Sequence, residues 1–303
     1  MKRVAFLSVA ALLSTLALLP ALRSQERWTL SDEHRALAPG KFLKLPQGIV
    51  HYDVAGPETG QVVVLVHGFS VPFYVWDPTF RALADAGFRV IRYDLFGRGY
   101  SDRPEARYDR AFFEQQLLDL LTGLALEMPV DLIGLSMGGP IVAGFVANHP
   151  NWVRRWALVD PLFTAPPIVP LNIPLLGEYL THAFYLPMLP DQQQDNFHRA
   201  EAFPGWSERY CEQMRYKGFG RALLASLRHF VSQDHGPAYR EAGRQGRPAL
   251  LIWGSEDRVT PIADHVTVQS LLDAEFLRVE GAGHLAHYEQ PETVNPALVD
   301  FLS

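Results

Sequence analysis

The sequence predicts an α/β fold with a mostly parallel sheet, and three observations support this prediction. Strand-like apolar runs alternate with helical stretches along most of the chain, which is the pattern of strand–helix–strand units. Val62–Val66 is an unbroken aliphatic run, typical of a strand buried on both faces of a parallel sheet. Gly134–Gly138 has the form Gly-x-Ser-x-Gly between an apolar run and a helical one, as in a tight strand-to-helix turn.

Eight strands and four principal helices follow from these patterns. The predicted strands cover Lys41–Leu45, Ile49–Val54, Val62–Val66, Arg89–Tyr93, Val130–Ile133, Trp156–Val159, Ala249–Trp253 and Glu275–Val279. Helices are predicted over Asp77–Ala86, Asp109–Leu126, Pro140–Ala147 and Pro291–Leu302. In the second helix, Phe113, Leu117 and Leu121 form part of an apolar stripe at helical spacing.

The regular alternation stops between residues 163 and 240. Prolines are dense there and are interleaved with aromatic residues, which breaks regular elements into short helices and turns. We therefore predict an insertion over 163–240, between a first core part, 25–162, and a second core part, 241–303. Residues 25–40 are mostly polar and are predicted to be a poorly ordered lead-in.

Composition limits the partners of the chain. The net charge is −6 with no basic run, so no nucleic-acid partner is predicted. Cys211 is the single cysteine, which excludes an internal disulfide.

Lys2 and Arg3 precede an uncharged, Leu- and Ala-rich stretch from Val4 to Leu22, so residues 1–24 are predicted to be a signal peptide or a membrane anchor. The folded part is then expected outside the cytoplasm, with membrane association through residues 4–22 left open.

Three polar residues follow predicted strands and suggest one chemistry. Ser136, Asp257 and His284 each come after a strand, and the carboxyl ends of parallel strands meet at one edge of a sheet. A serine hydroxyl needs an imidazole to take its proton and a carboxylate to orient that imidazole. The chain order Ser, Asp, His is the one expected of a hydrolase triad on such a sheet.

Five motifs in order make the sequence resemble the α/β-hydrolase superfamily over nearly all of residues 41–303. They are His67–Phe69, Tyr93–Asp102, Gly134–Gly138, Trp253–Pro261 and Gly283-His284. The resemblance implies an eight-stranded α/β-hydrolase sheet with helices on both faces and a helical cap at 163–240. It also implies an oxyanion hole made by the backbone amides of Phe69 and Met137, in an esterase or monoacylglycerol-lipase-like member.

Several residues compete for roles in this site. Related epoxide hydrolases and haloalkane dehalogenases use an aspartate where this chain has Ser136, which argues against both activities. Asp160 is an alternative triad acid, although the motif fit favours Asp257. His287 is interpreted as a surface residue at a helix start, and His67 as a structural residue of the oxyanion loop. Asp94 and Arg98 are expected to hold the loop beside the site.

The sequence therefore predicts a serine hydrolase that cleaves carboxylic esters of a mainly apolar small molecule, because the insertion is rich in aromatic residues and proline. No metal or other cofactor is predicted, since no His, Asp or Glu cluster has metal-ligand spacing. Two alternatives use the same triad: a carbon–carbon bond hydrolase of ring-fission products and a cofactor-free haloperoxidase or perhydrolase. A non-catalytic binding module is a further alternative from another class. The oligomeric state is left open.

Overall fold

The computed structural model describes residues 15–303, so most of the predicted signal or anchor segment, 1–24, lies outside the described part. Its centre is an eight-stranded sheet in the order β1-β2-β4-β3-β5-β6-β7-β8. The strands are β1 Lys41–Leu45, β2 Gly48–Ala55, β3 Val62–Val66, β4 Arg89–Tyr93, β5 Val130–Leu135, β6 Val153–Val159, β7 Ala249–Gly254 and β8 Glu275–Val279. Only the pairings of β1 with β2 and of β2 with β4 are antiparallel. The predicted mostly parallel sheet is confirmed.

The central strand β3 explains why its sequence does not alternate. All five of its residues are buried, yet Val62, Val64 and Val66 belong to one hydrophobic cluster and Val63 and Leu65 to another. The two clusters lie on opposite faces of the sheet, because successive side chains of a strand point to opposite sides. Both faces are covered, so both sets of positions are apolar.

The described helices include those that alternate with the strands and, between residues 176 and 226, those of the insertion. They are α1 Asp32–Ala36, α2 Asp77–Asp85, α3 Arg110–Gly123, α4 Gly138–Asn148, α5 Leu176–Leu180, α6 Leu186–Gln192, α7 Trp206–Met214, α8 Phe219–Ser226, α9 Gly236–Arg244, α10 His265–Leu272, α11 Ala286–Glu289 and α12 Pro291–Leu302. Apolar side chains of α3, α4 and α9 join the first cluster, and those of α2 and α12 join the second. Short 3₁₀ or π turns occur at Phe73–Trp76, Pro150–Trp152, Thr181–Tyr185, Gln193–Asn196, Ala200–Ala202, Leu227–Val231 and Ile262–Asp264.

The insertion is helical, as its proline pattern predicted, and its last predicted residues pack on the core. Helix α9 begins at Gly236, before the predicted boundary at 240. The Tyr239 hydroxyl donates a hydrogen bond of 2.9 Å to the carbonyl of Leu162, and Ala238 and Ala242 are buried in the first cluster. Helix α9 therefore packs as part of the core and not as part of the insertion.

The lead-in, predicted to be poorly ordered, is instead attached to the insertion. The Glu26 carboxylate accepts hydrogen bonds of 2.7 Å from the amides of both Gly218 and Gly220. The Trp28 carbonyl accepts one of 2.8 Å from the Lys217 amide. Arg35, which is buried in α1, pairs with Asp102 of the core. The polar residues that suggested a mobile segment satisfy fixed partners, and such long-range partners cannot be found from local sequence.

Within residues 15–303, the longest and most apolar helices still fall short of what is needed to cross a bilayer.

Candidate active site

Ser136 sits on a strained turn between β5 and α4. Its φ is +52°, in the left-handed region that costs a residue with a side chain about 1 kcal/mol or more. The turn is held by the Ser136 amide, which donates to the Val159 carbonyl at 3.0 Å. A Cβ on Gly134 would lie 2.5 Å from the Gly138 carbonyl oxygen, and one on Gly138 would lie 2.3 Å from that of Val66. Both flanking glycines are therefore required by backbone contacts.

Gly138→Ala should destabilise the protein by about 3 kcal/mol, because its new methyl group meets backbone that cannot move without distorting β3. Urea unfolding followed by circular dichroism measures the change. Gly87→Ala is the matched control: Gly87 has a φ of +95° and nothing within 4 Å of a built Cβ, so it should lose only about 1 kcal/mol. Equal losses for the two variants would contradict the steric explanation.

The triad acid and base predicted from the sequence are in contact. His284 Nδ1 donates to Asp257 Oδ2 at 2.9 Å, and both side chains are almost fully buried. Burial acts to raise the pKa of Asp257, but His284 and the hydroxyl and amide of Thr260 outweigh it and keep that pKa below its usual value. Asp257 is thus held as a carboxylate facing the imidazole.

Thr260 is a member of this cluster that the sequence reasoning missed. Its hydroxyl donates to Asp257 Oδ2 at 2.6 Å, and Asp257 Oδ1 accepts from the amides of Val259 and Thr260 at 2.7 and 2.9 Å. An aspartate followed three residues later by threonine is a local signal for such a side-chain-capped turn. The turn fixes the direction of the carboxylate toward His284.

Asp160, the rival acid, is placed differently. It is buried at the end of β6, where its carboxyl oxygens accept from the amides of Gly254 at 2.7 Å and Ala286 at 3.2 Å. It forms no hydrogen bond to His284 among residues 15–303. Burial, together with the negative charge of Asp257, raises the pKa of Asp160 well above its usual value. Its contacts join β7 to α11 and do not orient the imidazole.

Two other histidines have structural positions. His67 Nδ1 donates to the Gly68 carbonyl at 2.9 Å and its Nε2 accepts from the Leu95 amide at 2.8 Å, which requires a neutral ring. This position agrees with its predicted structural role. The surface position predicted for His287 is wrong: it is fully buried, and its Nε2 donates to the Val75 carbonyl at 3.0 Å. The ring of Trp76 packs against it, at 4.4 Å between centroids.

The predicted oxyanion loop is held by its carbonyl groups. The Phe69 carbonyl accepts from Arg98 Nε at 2.7 Å, and the Ser70 carbonyl accepts from the Gln213 side chain at 2.8 Å. The amides of Phe69 and Met137 donate to no acceptor within the described part of the chain, and Met137 immediately precedes α4. Two free amides beside a helix N-terminus can stabilise an anion. Gln213, from the insertion, carried no signal in the sequence.

Asp94 and Arg98 stabilise the loop next to the site, as predicted. The Asp94 carboxylate accepts from the amides of Phe73 and Tyr100 at 2.8 and 3.0 Å, and from His51 Nδ1 at 2.7 Å. A Cβ on Gly99 would lie 1.9 Å from Asp94 Oδ2, which accounts for glycine there. Arg98 is fully buried without a carboxylate partner in residues 15–303, and burial lowers its pKa to about 10.

Ser136 and His284 open into the same cavity of about 250 Å³. Gly68 lies against Ser136, since a Cβ built there would be 3.0 Å from Ser136 Cβ. The rest of the lining is mainly apolar on the core side, and on the insertion side it combines one leucine with amide and carboxyl groups: Phe69, Ser70, Val71, Val75, Leu135, Val259 and Leu285 from the core, and Leu189, Gln192, Gln193, Asp195 and Asn196 from the insertion. The aromatic residues of the insertion, such as Phe197 and Trp206, are buried in its packing. They are absent from the lining, so they do not define the pocket as the sequence suggested.

Three buried histidines should together remove about 4 kcal/mol of stability between pH 7.5 and pH 5.5 because they resist protonation, and proton uptake by Asp160, whose pKa is raised, should offset part of this loss. Burial lowers the pKa of His67 to about 4, of His235 to about 4 and of His287 to about 3, from 6.5. The unfolded chain therefore binds more protons below pH 6.5, and stability is full above that pH and is lost as the pH falls toward 4. Denaturant unfolding of Asp160→Asn at the two pH values measures the histidine contribution without the opposing effect of Asp160, and unchanged stability of that variant would contradict it.

Among residues 15–303, no group of three or more His, Cys, Asp or Glu side chains could hold a metal ion.

Comparison with known proteins identifies the family. The profile of the alpha/beta hydrolase fold matches residues 61–291. A 2-hydroxy-6-oxononadienedioate/2-hydroxy-6-oxononatrienedioate hydrolase of Paraburkholderia phymatum is 30% identical over 294 residues, covering 89% of this chain and 97% of that protein. A non-heme chloroperoxidase of Streptomyces lividans is 27% identical over 270 residues, covering 84% and 95%.

A solved structure shares the architecture. The enol-lactonase from Burkholderia xenovorans LB400 superposes with a TM-score of 0.75 at 21% identity, over 86% of this chain and 99% of that one. Identity at this level shows the fold alone. With the profile match over most of the chain and a serine at the elbow, the protein belongs to the alpha/beta hydrolase fold family.

Proposed function

We propose that this hydrolase cleaves carboxylic esters through an acyl-enzyme on Ser136. Ser136 Oγ attacks the ester carbonyl while His284 Nε2 takes its proton and passes it to the leaving alcohol. The amides of Phe69 and Met137 stabilise the oxyanion. A water molecule, deprotonated by His284, then attacks the acyl-enzyme, releasing the acid and restoring the serine hydroxyl.

One observation carries the proposal. Asp257 holds His284 Nδ1 at 2.9 Å, which leaves Nε2 as the free nitrogen of a ring that shares its cavity with Ser136. This is the tautomer that a general base for a serine requires. Free backbone amides on two sides of the serine add the second element of acyl transfer, charge stabilisation at the carbonyl oxygen.

The lining favours an uncharged ester with one apolar and one hydrogen-bonding part. Val71, Val75 and Leu285 offer apolar contacts on the core side, whereas Gln192 and Asn196 offer amide groups on the other. Among residues 15–303, the lining contains no lysine or arginine and includes Asp195. An anionic substrate would therefore meet a carboxylate and lack a counter-charge.

Carbon–carbon bond hydrolysis is the second candidate, because the Paraburkholderia phymatum relative is 30% identical over nearly its full length. By its name, that relative acts on a dioate. The described part of the chain places no arginine or lysine in the cavity to pair with a carboxylate, so ester cleavage remains our first proposal. A haloperoxidase-type reaction, suggested by the relative from Streptomyces lividans, is tested by peracid formation from acetate and peroxide.

The full-length protein should hydrolyse p-nitrophenyl butyrate with a kcat/KM at least about tenfold higher than for the p-nitrophenyl monoester of succinate, because Asp195 disfavours a second carboxylate. Release of p-nitrophenol measures both, and a series of acyl chain lengths reports the pocket size. Ser136→Ala, which lacks the proposed nucleophile, is the negative control. Equal rates for wild type and Ser136→Ala would reject the proposal, and turnover of a vinylogous diketone without ester cleavage would establish the second candidate.

A non-catalytic role is tested separately with a fluorophosphonate probe, which labels an activated serine. Labelling of wild type and not of Ser136→Ala supports the enzyme. Failure of wild type to react would favour a binding module.

A further inference from the structure

The outer surface of the insertion carries exposed apolar side chains that we call the cap patch: Val169, Ile173, Leu175, Leu176, Phe184 and Met188. Nine of the thirteen large hydrophobic residues exposed in the described part of the chain lie either in this patch or at Leu16, Leu18 and Leu22. Single exposed apolar residues are normal on a soluble protein. A concentration of them on one short stretch indicates an interaction surface.

The stretch of chain that carries the cap patch is almost free of charged residues. Residues 161–190 contain one Asp, Glu, Lys or Arg, namely Glu178, in a chain that is 20% charged. The Glu178 carboxylate is itself paired with Arg228, at 2.5 and 3.2 Å. Charged groups are costly at the hydrocarbon boundary of a bilayer, whereas the rim of a protein–protein interface is polar. The depletion therefore favours lipid as the occupant.

The N-terminal apolar segment meets the same surface. Residues 15–23 are helical, and the Tyr179 hydroxyl donates to the Leu16 carbonyl at 2.8 Å. Arg23 Nη1 donates to the Ala183 carbonyl at 2.9 Å, and its guanidinium lies 5.5 Å from the centre of the Phe184 ring. The uncharged stretch Val4–Leu22, preceded by Lys2 and Arg3, thus joins the folded protein beside the cap patch.

The connection between this segment and the insertion is short. Glu26 is fixed to the amides of Gly218 and Gly220 at 2.7 Å, only four residues after Leu22. A chain of four residues spans at most about 14 Å. If residues 4–22 enter a membrane, the cap patch must lie close to its surface.

The cap patch also borders the candidate active site. Met188 is exposed in α6, and the adjacent Leu189 lines the cavity that contains Ser136. We propose that the cap patch rests on a lipid bilayer together with residues 4–22, which places the cavity-lining helix α6 at the membrane surface. This proposal does not depend on the ester assignment, because membrane contact can be measured with an inactive variant.

The test uses full-length Ser136→Ala protein and phosphatidylcholine vesicles with brominated acyl chains, which quench tryptophan fluorescence only on contact. Leu175→Trp introduces a probe into the cap patch, and Leu37→Trp is the matched control, since Leu175 is 85% exposed and Leu37 87%. The vesicles should quench the fluorescence added by Leu175→Trp by about twofold or more, and leave that added by Leu37→Trp unchanged, because only the first enters the acyl boundary.

Three results would overturn the proposal. The first is a lack of vesicle binding by the full-length protein. The second is vesicle binding with equal quenching of Leu175→Trp and Leu37→Trp. The third is a dimer in vesicle-free buffer that Leu175→Glu converts to a monomer, which would assign the cap patch to a second copy of the chain. Failure of ester hydrolysis would leave all three measurements unaffected, so the two proposals fail independently.

Discussion

Ser136→Ala should lower kcat on a p-nitrophenyl ester by at least about 10⁴-fold, because the nucleophile is lost while the rest of the site remains. The residual rate would come from the two free amides and from substrate binding. Steady-state kinetics measure the loss, with the fold checked by circular dichroism. A variant that retains more than about a tenth of the wild-type rate would reject Ser136 as the nucleophile.

A second substitution at the same position separates chemistry from strain. Ser136 has a φ of +52°, so Ser136→Gly should be as inactive as Ser136→Ala yet more stable than it by about 1 kcal/mol, because glycine adopts the left-handed region without steric cost. Thermal unfolding compares the two variants. If Ser136→Gly were less stable than Ser136→Ala, the elbow would not be storing strain at this residue.

Asp257→Asn should lower kcat by about 10³–10⁴-fold at neutral pH, because an amide no longer stabilises the imidazolium and permits the wrong tautomer of His284. The hydrogen bonds that Asp257 Oδ1 accepts from Val259 and Thr260 can be kept by the Asn oxygen. The variant should therefore fold, and its activity should show a changed pH profile, measured as kcat/KM from pH 5 to 9.

Asp160→Asn is the matched comparison, since Asp160 is the rival acid. It should cost about 1–3 kcal/mol of stability, because one of the amides of Gly254 and Ala286 loses its acceptor. Its kcat per folded molecule should fall by less than about tenfold, because the carboxyl group does not hold His284. The reverse result, with activity lost in Asp160→Asn and kept in Asp257→Asn, would exchange the roles of the two residues.

Much of the fold could be predicted because its signals are local. β1, β3, β4 and β8 and helix α12 begin and end where their apolar patterns predicted. The glycines around Ser136 indicated an elbow, and backbone contacts below 3 Å at both are the physical reason. The positions of Asp257 and His284 after successive strands were sufficient to predict their meeting, because parallel strands end at one edge.

The predictions that failed concern partners distant along the chain. The polar lead-in appeared mobile in sequence, yet Glu26 bonds to residues more than 190 positions away. His287 looked like a surface residue, yet it reaches Val75 across the core. No local pattern records such pairs, since each requires the sheet to have formed first.

The sequence by itself determined the fold class, the elbow serine and the order of the candidate triad, because each depends on backbone sterics or on the direction of neighbouring strands. Only the tertiary structure decided which aspartate faces His284 and which side chains line the cavity. It also decided that the exposed apolar residues of the insertion lie beside the N-terminal segment. These features depend on contacts between the insertion and the core, whose geometry follows from packing and not from periodicity.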